Sequence, residues 1–239
     1  MRMHVLSGGR LRMLKRINFP DAALEETIDL PVVCFLFRHP QGNMLFDTGC
    51  HPIVAENPEA RWGNLARSVV PIMESENNVV SELSRINLTP ADIDVVVNSH
   101  LHCDHCGCNE FFSRATFYVH KDELKQARRP EMEQMGYFSA DWEHPMSMIE
   151  ITGEVDIFGD GRIVLLPLPG HTPGLTGALA CLPNCGAYLL ASDAAVFREH
   201  LNREIIPRNT WSQDLYTKSH AEIRRIEKAG VVVVCGHDL

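Results

Sequence analysis

The stretch Asn98-Ser-His-Leu-His-Cys-Asp-His-Cys-Gly107 constrains this chain more than any other part of it. It gathers His100, His102, Asp104 and His105 into one short run, directly after the apolar segment Asp94–Val97. A strand that ends there and runs into a turn points alternate side chains toward one spot. His100 and His102 then suit one metal ion, while Asp104 and His105 face a second. Imidazole and carboxylate at these spacings suit zinc, with iron or manganese as options. A lone loop histidine is ordinarily a solvated polar residue, but that account does not extend to such a cluster.

Three further ligand-type residues stand at comparable places. His171 lies in Leu168-Pro-Gly-His-Thr-Pro-Gly174, just past the apolar run Arg162–Leu166. Asp193 follows the run Ala187–Ala191, and His237 follows Val231–Val234. Other strand candidates are Leu30–Phe37, Asn43–Phe46 and Ala115–Val119, several apolar enough to be buried on both faces. Helices are expected over Glu76–Ile86, Lys121–Arg128 and Trp211–Ala229. The last has Leu215, Ile223 and Ile226 spaced for one face and Gly230 as a stop. Strands interleaved with helices make this an α/β chain of layered architecture. In such folds, ligands from several loops meet in a crevice at the C-terminal strand ends. Residues 51–75 and 129–147 read as irregular covers. They carry Trp62, Pro71, Met73, Met132, Met135, Tyr137, Phe138 and Trp142, which either line an apolar pocket or pack the covers themselves.

The length of 239 residues fits one α/β domain, 1–239. The net charge of −9 argues against a nucleic-acid partner. With no signal-peptide run and no stretch of membrane-spanning length, the chain is expected in the cytoplasm, with no membrane partner. In that compartment the eight cysteines are expected reduced, most of them small buried hydrophobes. Cys103 with Cys106 and Cys181 with Cys185 also allow a zinc-finger reading. It is disfavoured because the second pair straddles a turn at Pro183-Asn184.

The run His100–His105 meets in full the His-x-His-x-Asp-His hallmark of the metallo-β-lactamase superfamily. Within it, the chain resembles the N-acyl-homoserine lactonase family. The matching stretches are Leu30-Pro-Val-Val-Cys-Phe-Leu36, Leu45-Phe-Asp-Thr-Gly49, Pro169-Gly-His-Thr-Pro-Gly174, Ser192-Asp-Ala194 and Gly236-His-Asp238. This resemblance implies an αββα sandwich with two zinc ions at one edge. It implies that His100, His102 and His171 hold the first metal, that Asp104, His105 and His237 hold the second, and that Asp193 bridges. Asp47 would orient a ligand histidine. One departure stands out: where lactonases of this family commonly carry a substrate-contacting tyrosine, three residues after the bridging aspartate, this chain has Val196. Tyr137, Tyr216 and His200 are candidates for the missing role.

The expected activity is hydrolysis of a lactone ring, most simply that of an N-acyl homoserine lactone, which would make the chain a quorum-quenching enzyme. Two zinc ions would lower the pKa of a bridging water from 15.7 to about 7. The resulting hydroxide would attack the ester carbonyl, with Asp104 accepting or relaying the proton and Asp193 holding both ions. Hydrolysis of another lactone or ester is the first alternative, because of Val196. A non-catalytic metal-binding domain is the second. True metallo-β-lactamases of the common dinuclear class differ in having cysteine where Asp193 stands.

Overall fold

The computed structural model describes residues 1–238, in which strands β1 to β12 form two sheets. These are β1 (Arg2–Leu14), β2 (Thr27–His39), β3 (Gly42–Phe46), β4 (Val69–Pro71), β5 (Val95–Val97), β6 (Thr116–His120), β7 (Ser147–Ile151), β8 (Val155–Asp156), β9 (Ile163–Pro167), β10 (Thr176–Leu182), β11 (Gly186–Ser192) and β12 (Val232–Cys235). The first sheet runs in the order β4-β1-β2-β3-β5-β6-β7 and the second β12-β11-β10-β9-β8. The pairs from β4 to β3 are antiparallel, whereas β3, β5, β6 and β7 are parallel. In the second sheet only β11 and β12 run parallel.

The apolar runs are continuous because both faces of each sheet are covered. Phe35, Phe37, Phe46 and Val97 of the first sheet meet Leu165, Ala178, Ala180 and Leu190 of the second, forming the layer between them. On the opposite face Leu36, Leu45, Val96 and Phe117 pack against Val79 and Leu83 of the helix Val79–Arg85. On the outside of the second sheet Leu166, Leu189 and Val233 pack against Ile223 and Ile226 of the helix Gln213–Lys228. The result is a helix–sheet–sheet–helix sandwich, as the α/β reading and the resemblance require. Among the described residues no helix is long and apolar enough to cross a membrane.

All seven strands expected from the sequence form, with ends shifted by at most three residues. Two long strands were not expected. β1, with Gly8-Gly9 and three arginines, lacks a β-branched run, yet it pairs along almost its whole length with β2. β10, Thr-Gly-Ala-Leu-Ala-Cys-Leu, is built from small residues that suit its buried central place between β9 and β11. The helix Gln213–Lys228 buries Tyr216, Ser219, His220, Ile223 and Ile226, so its inner face centres on the tyrosine, with Leu215 only half-buried. Six cysteines are buried, as expected for most of them, and Cys181 and Cys185 are exposed around the β10–β11 turn.

The segments 51–75 and 129–147 hold short helices and the edge strand β4. They are joined by Arg61, whose Nε donates to Asp141 Oδ1 at 2.6 Å and whose Nη2 donates to Ala140 O at 2.6 Å. Burial pushes the Asp141 carboxyl up to about 7 against the pull of Arg61. Removing Arg61 strands this carboxylate inside the protein. Arg61→Ala at pH 8 is expected to lower the unfolding free energy by about 3–5 kcal/mol in urea denaturation. A loss below about 1 kcal/mol would contradict this role. Burial likewise holds His200 and His220 down to about 4, against an unfolded value near 6.5. Both groups then contribute stability that is full above about pH 6.5 and is lost as pH falls toward 4. His220→Gln should flatten the slope of stability against pH in that window, by up to about 1.4 kcal/mol per pH unit. An unchanged slope would contradict it.

Candidate metal centre

Five strand ends deliver the site. β5 leads into His100 and His102 and then into the short helix Cys103–Cys106, which carries Asp104 and His105. β3 ends at Asp47, β9 leads to His171, β11 to Asp193 and β12 to His237. The turns are tight. Asp47 (φ 60°) and Ser192 (φ 47°) both adopt left-handed backbone, which is costly for non-glycine residues and clusters at functional sites. Gly236 is required by close approach, since a Cβ there would lie 2.5 Å from Asp193 Oδ1. Behind the turn Thr48 Oγ1 donates to Asn109 Oδ1 (2.9 Å), and Asn109 Nδ2 donates to Asn98 Oδ1 (2.9 Å), a buried brace of polar side chains.

All seven ligand-type residues singled out in the sequence converge here. Ligand atoms of His100, His102 and His171 lie within 4.8 Å of one another, as do those of Asp104, His105 and His237. Asp193 spans the two groups: Oδ2 is 3.4 Å from His171 Nε2, while Oδ1 is 3.2 Å from His237 Nε2 and 3.5 Å from His105 Nε2. Among the described residues the groups of metal-holding geometry contain no cysteine, which sets the zinc-finger reading aside.

The hydrogen bonds fix which ring nitrogens are free. His105 Nδ1 donates to Asp47 Oδ2 (2.8 Å), His237 Nδ1 to the Pro31 carbonyl (2.8 Å) and His100 Nδ1 to Ser99 Oγ (3.0 Å). Each leaves Nε2 as a lone-pair donor aimed into the site. His102 Nδ1 faces His100 Nε2 at 3.0 Å and His171 Nε2 at 3.1 Å. His105 Nε2 and Asp193 Oδ1 are buried without any hydrogen-bond partner. Electron pairs gathered this closely, with orphaned acceptors among them, fit a bound cation in each group. The charge balance agrees. Burial holds His100 and His102 well below the usual imidazole range, in the neutral form that ligates metal. Burial also works to lower His105, but Asp104, Asp193 and Asp47 outweigh it and raise the group to about 10. Asp193 is held well below the carboxylate range, because His237, His105 and His171 overcome its burial.

Over these groups lies a cavity of about 220 Å³. Its floor includes His102, Asp104, His171, Asp193 and His237, and its walls include Leu11, Met13, Ile17, Leu30, Leu65 and Val69. The β1 wall was invisible in the sequence because that strand was not expected. Of the cover residues singled out there, Met135 lines the cavity, while Trp62, Met73, Tyr137 and Trp142 are buried in the packing of the covers. Val196 lines the cavity beside Asp193. Tyr216 and His200 are buried, 3.4 Å apart between hydroxyl and Nδ1, and do not line it. The Tyr137 ring packs edge-on against His102, with centroids 4.7 Å apart, and lines a smaller adjoining cavity. Sequence reasoning missed Ser99, whose hydroxyl donates to Asp47 Oδ2 (2.8 Å) while meeting His100. Its position next to His100 was the available signal.

Residues 27–237 match the family model of the metallo-beta-lactamase superfamily. The chain is 31% identical over 245 residues to the N-acyl homoserine lactonase AttM of Azorhizobium caulinodans, covering all of this chain and 93% of that protein. It is 30% identical over 217 residues to an N-acyl homoserine lactonase of a Bacillus species, covering 90% and 84% of the two chains. Its structure superposes with a TM-score of 0.89 on an N-acyl homoserine lactone hydrolase that has the product N-hexanoyl-L-homoserine bound at its catalytic metal center. That match has 25% identity and covers 99% of this chain and 93% of the other. The chain therefore belongs to the metallo-beta-lactamase superfamily, among relatives that are N-acyl homoserine lactonases.

Proposed function

We propose that residues 1–239 form a single hydrolase domain that holds two zinc ions and opens the ring of an N-acyl homoserine lactone. The observation that carries this reading is the pairing of two ligand groups through Asp193 at the floor of an apolar-walled cavity. His100, His102 and His171 would hold one ion and Asp104, His105 and His237 the other, with Asp193, which reaches His171, His237 and His105, serving both groups. The net charge of −9 supports a small-molecule substrate over a nucleic acid.

When bound, the two ions supply Lewis acidity, making water nucleophilic at neutral pH and polarising an ester carbonyl. The chain supplies the rest. The neutral imidazoles and the two carboxylates set the charge of the site and keep it below full neutralisation of two divalent ions. Asp104 lines the cavity and can take the proton released as water adds to the carbonyl. That proton then goes to the ring oxygen as the ring C–O bond breaks, giving the free hydroxy acid. Leu11, Met13 and Ile17, with Leu65 and Val69, give the acyl chain an apolar bed.

Val196 favours a second reading, hydrolysis of another lactone or ester by the same machinery, because a valine cannot hydrogen-bond the substrate carbonyl. A pH-indicator screen of the zinc-loaded protein separates the two. It should cover homoserine lactones of several acyl lengths, other lactones, aryl esters, a thioester and a phosphoester. The expected result is turnover of N-acyl homoserine lactones. His102→Ala is expected to lower kcat/KM at least about 100-fold while leaving the fold intact by circular dichroism. Activity confined to substrates other than lactones would overturn the substrate assignment, and full activity in metal-free His102→Ala would overturn the metal mechanism.

A further inference from the structure

Glu123 is a fully buried carboxylate for which the hydrolytic chemistry has no use. It belongs to the helix Lys121–Ala127, yet its side chain turns away from that helix. Oε1 accepts from Leu101 N at 3.1 Å and Oε2 accepts from Gly174 N at 3.1 Å. Leu101 is the single residue between His100 and His102, and Gly174 closes the turn that begins at His171. The approach is close: a Cβ on Gly174 would lie 2.4 Å from Glu123 N. Thr172 and Tyr137 bring hydroxyls up to the same carboxylate, that of Thr172 without a hydrogen bond of ordinary geometry. Burial pushes this carboxyl up, and the surrounding N–H and O–H donors pull it back.

Asp47 makes the corresponding bonds on the other side, accepting from Ser99 N (2.7 Å) and His105 Nδ1 (2.8 Å). Asp47 thus reaches His105 directly and His100 through Ser99, whereas Glu123 bonds only the loops that carry His100, His102 and His171. We infer that Glu123 is a positioning residue dedicated to the His100, His102 and His171 group, locking the two loops that carry these three ligands into one register. Two N–H groups that converge on one buried side chain require two acceptor oxygens. A glutamine presents its amide nitrogen to one of them and leaves that N–H unsatisfied. Ligand supports of this kind are worth about 10- to 100-fold in metal affinity.

This inference rests on the two-metal reading, and the test separates them. Zinc stoichiometry and affinity are measured by competition with a chromogenic chelator, first in the wild type. They are then measured in two backgrounds that each isolate one group: His237→Ala, which leaves the first group whole, and His171→Ala, which leaves the second. Adding Glu123→Gln is expected to weaken zinc about 10- to 100-fold in the His237→Ala background. In the His171→Ala background it should change affinity by less than about twofold. Glu123→Asp, which keeps both oxygens on a shorter arm, should fall between wild type and Glu123→Gln. Equal losses in both backgrounds, no loss in either, or a Glu123→Gln protein that stays unfolded at saturating zinc would overturn the inference. A wild-type stoichiometry below two would overturn the two-metal reading, and this inference with it.

Discussion

Everything in this structure answers to a concentration of buried electron pairs. Five imidazoles and two carboxylates meet, and three of the rings, those of His105, His100 and His237, turn their proton-bearing nitrogens outward to Asp47, Ser99 and Pro31 and their lone pairs inward. Such an arrangement is unfavourable in a dry interior unless positive charge sits within it. The rise of His105 to about 10 expresses the same demand: the surrounding carboxylates draw a proton where no stronger cation competes. Metal ions satisfy that demand without using the ring nitrogens' donor capacity, and proton release on binding follows from it.

The sandwich makes this concentration possible. Strand ends from both sheets open at one edge, so loops far apart in the chain arrive at a common place, and each can be short. The strain at Asp47 and Ser192 and the forced glycine at Gly236 are local costs offset by the two cores on either side. Asp47 and Glu123 then act as two fasteners, reached from β3 and from the helix after β6: Asp47 holds His105 directly and His100 through Ser99, while Glu123 joins the His100–His102 and His171 loops. Beside the site, Arg61 ties the two covers together through Asp141 and Ala140.

Much of this was legible in the sequence. His100 to His105 declare themselves because ligand-type residues seldom crowd so closely, and His171, Asp193 and His237 because each follows an apolar run. The strands rich in valine and phenylalanine were readable for the same reason. β1 and β10 were not, because glycine, alanine and arginine carry little β signal and these strands owe their form to neighbours paired on both sides. Losing β1 also hid Leu11 and Met13 as cavity walls. Glu123 was unreadable for a different reason: in a helix with lysine and aspartate neighbours it looks like a solvated charge, and only the fold shows that it points inward. The fate of the missing tyrosine also needed three dimensions, since Tyr216 and His200 are close to Val196 yet buried behind it.

The most direct test of the central claim is anomalous diffraction at the zinc edge from crystals of the zinc-loaded protein. The account predicts two peaks, one enclosed by His100, His102 and His171 and one by Asp104, His105 and His237, with Asp193 contacting both. A single peak, or zinc bound elsewhere with these side chains hydrogen-bonded only to one another, would contradict it.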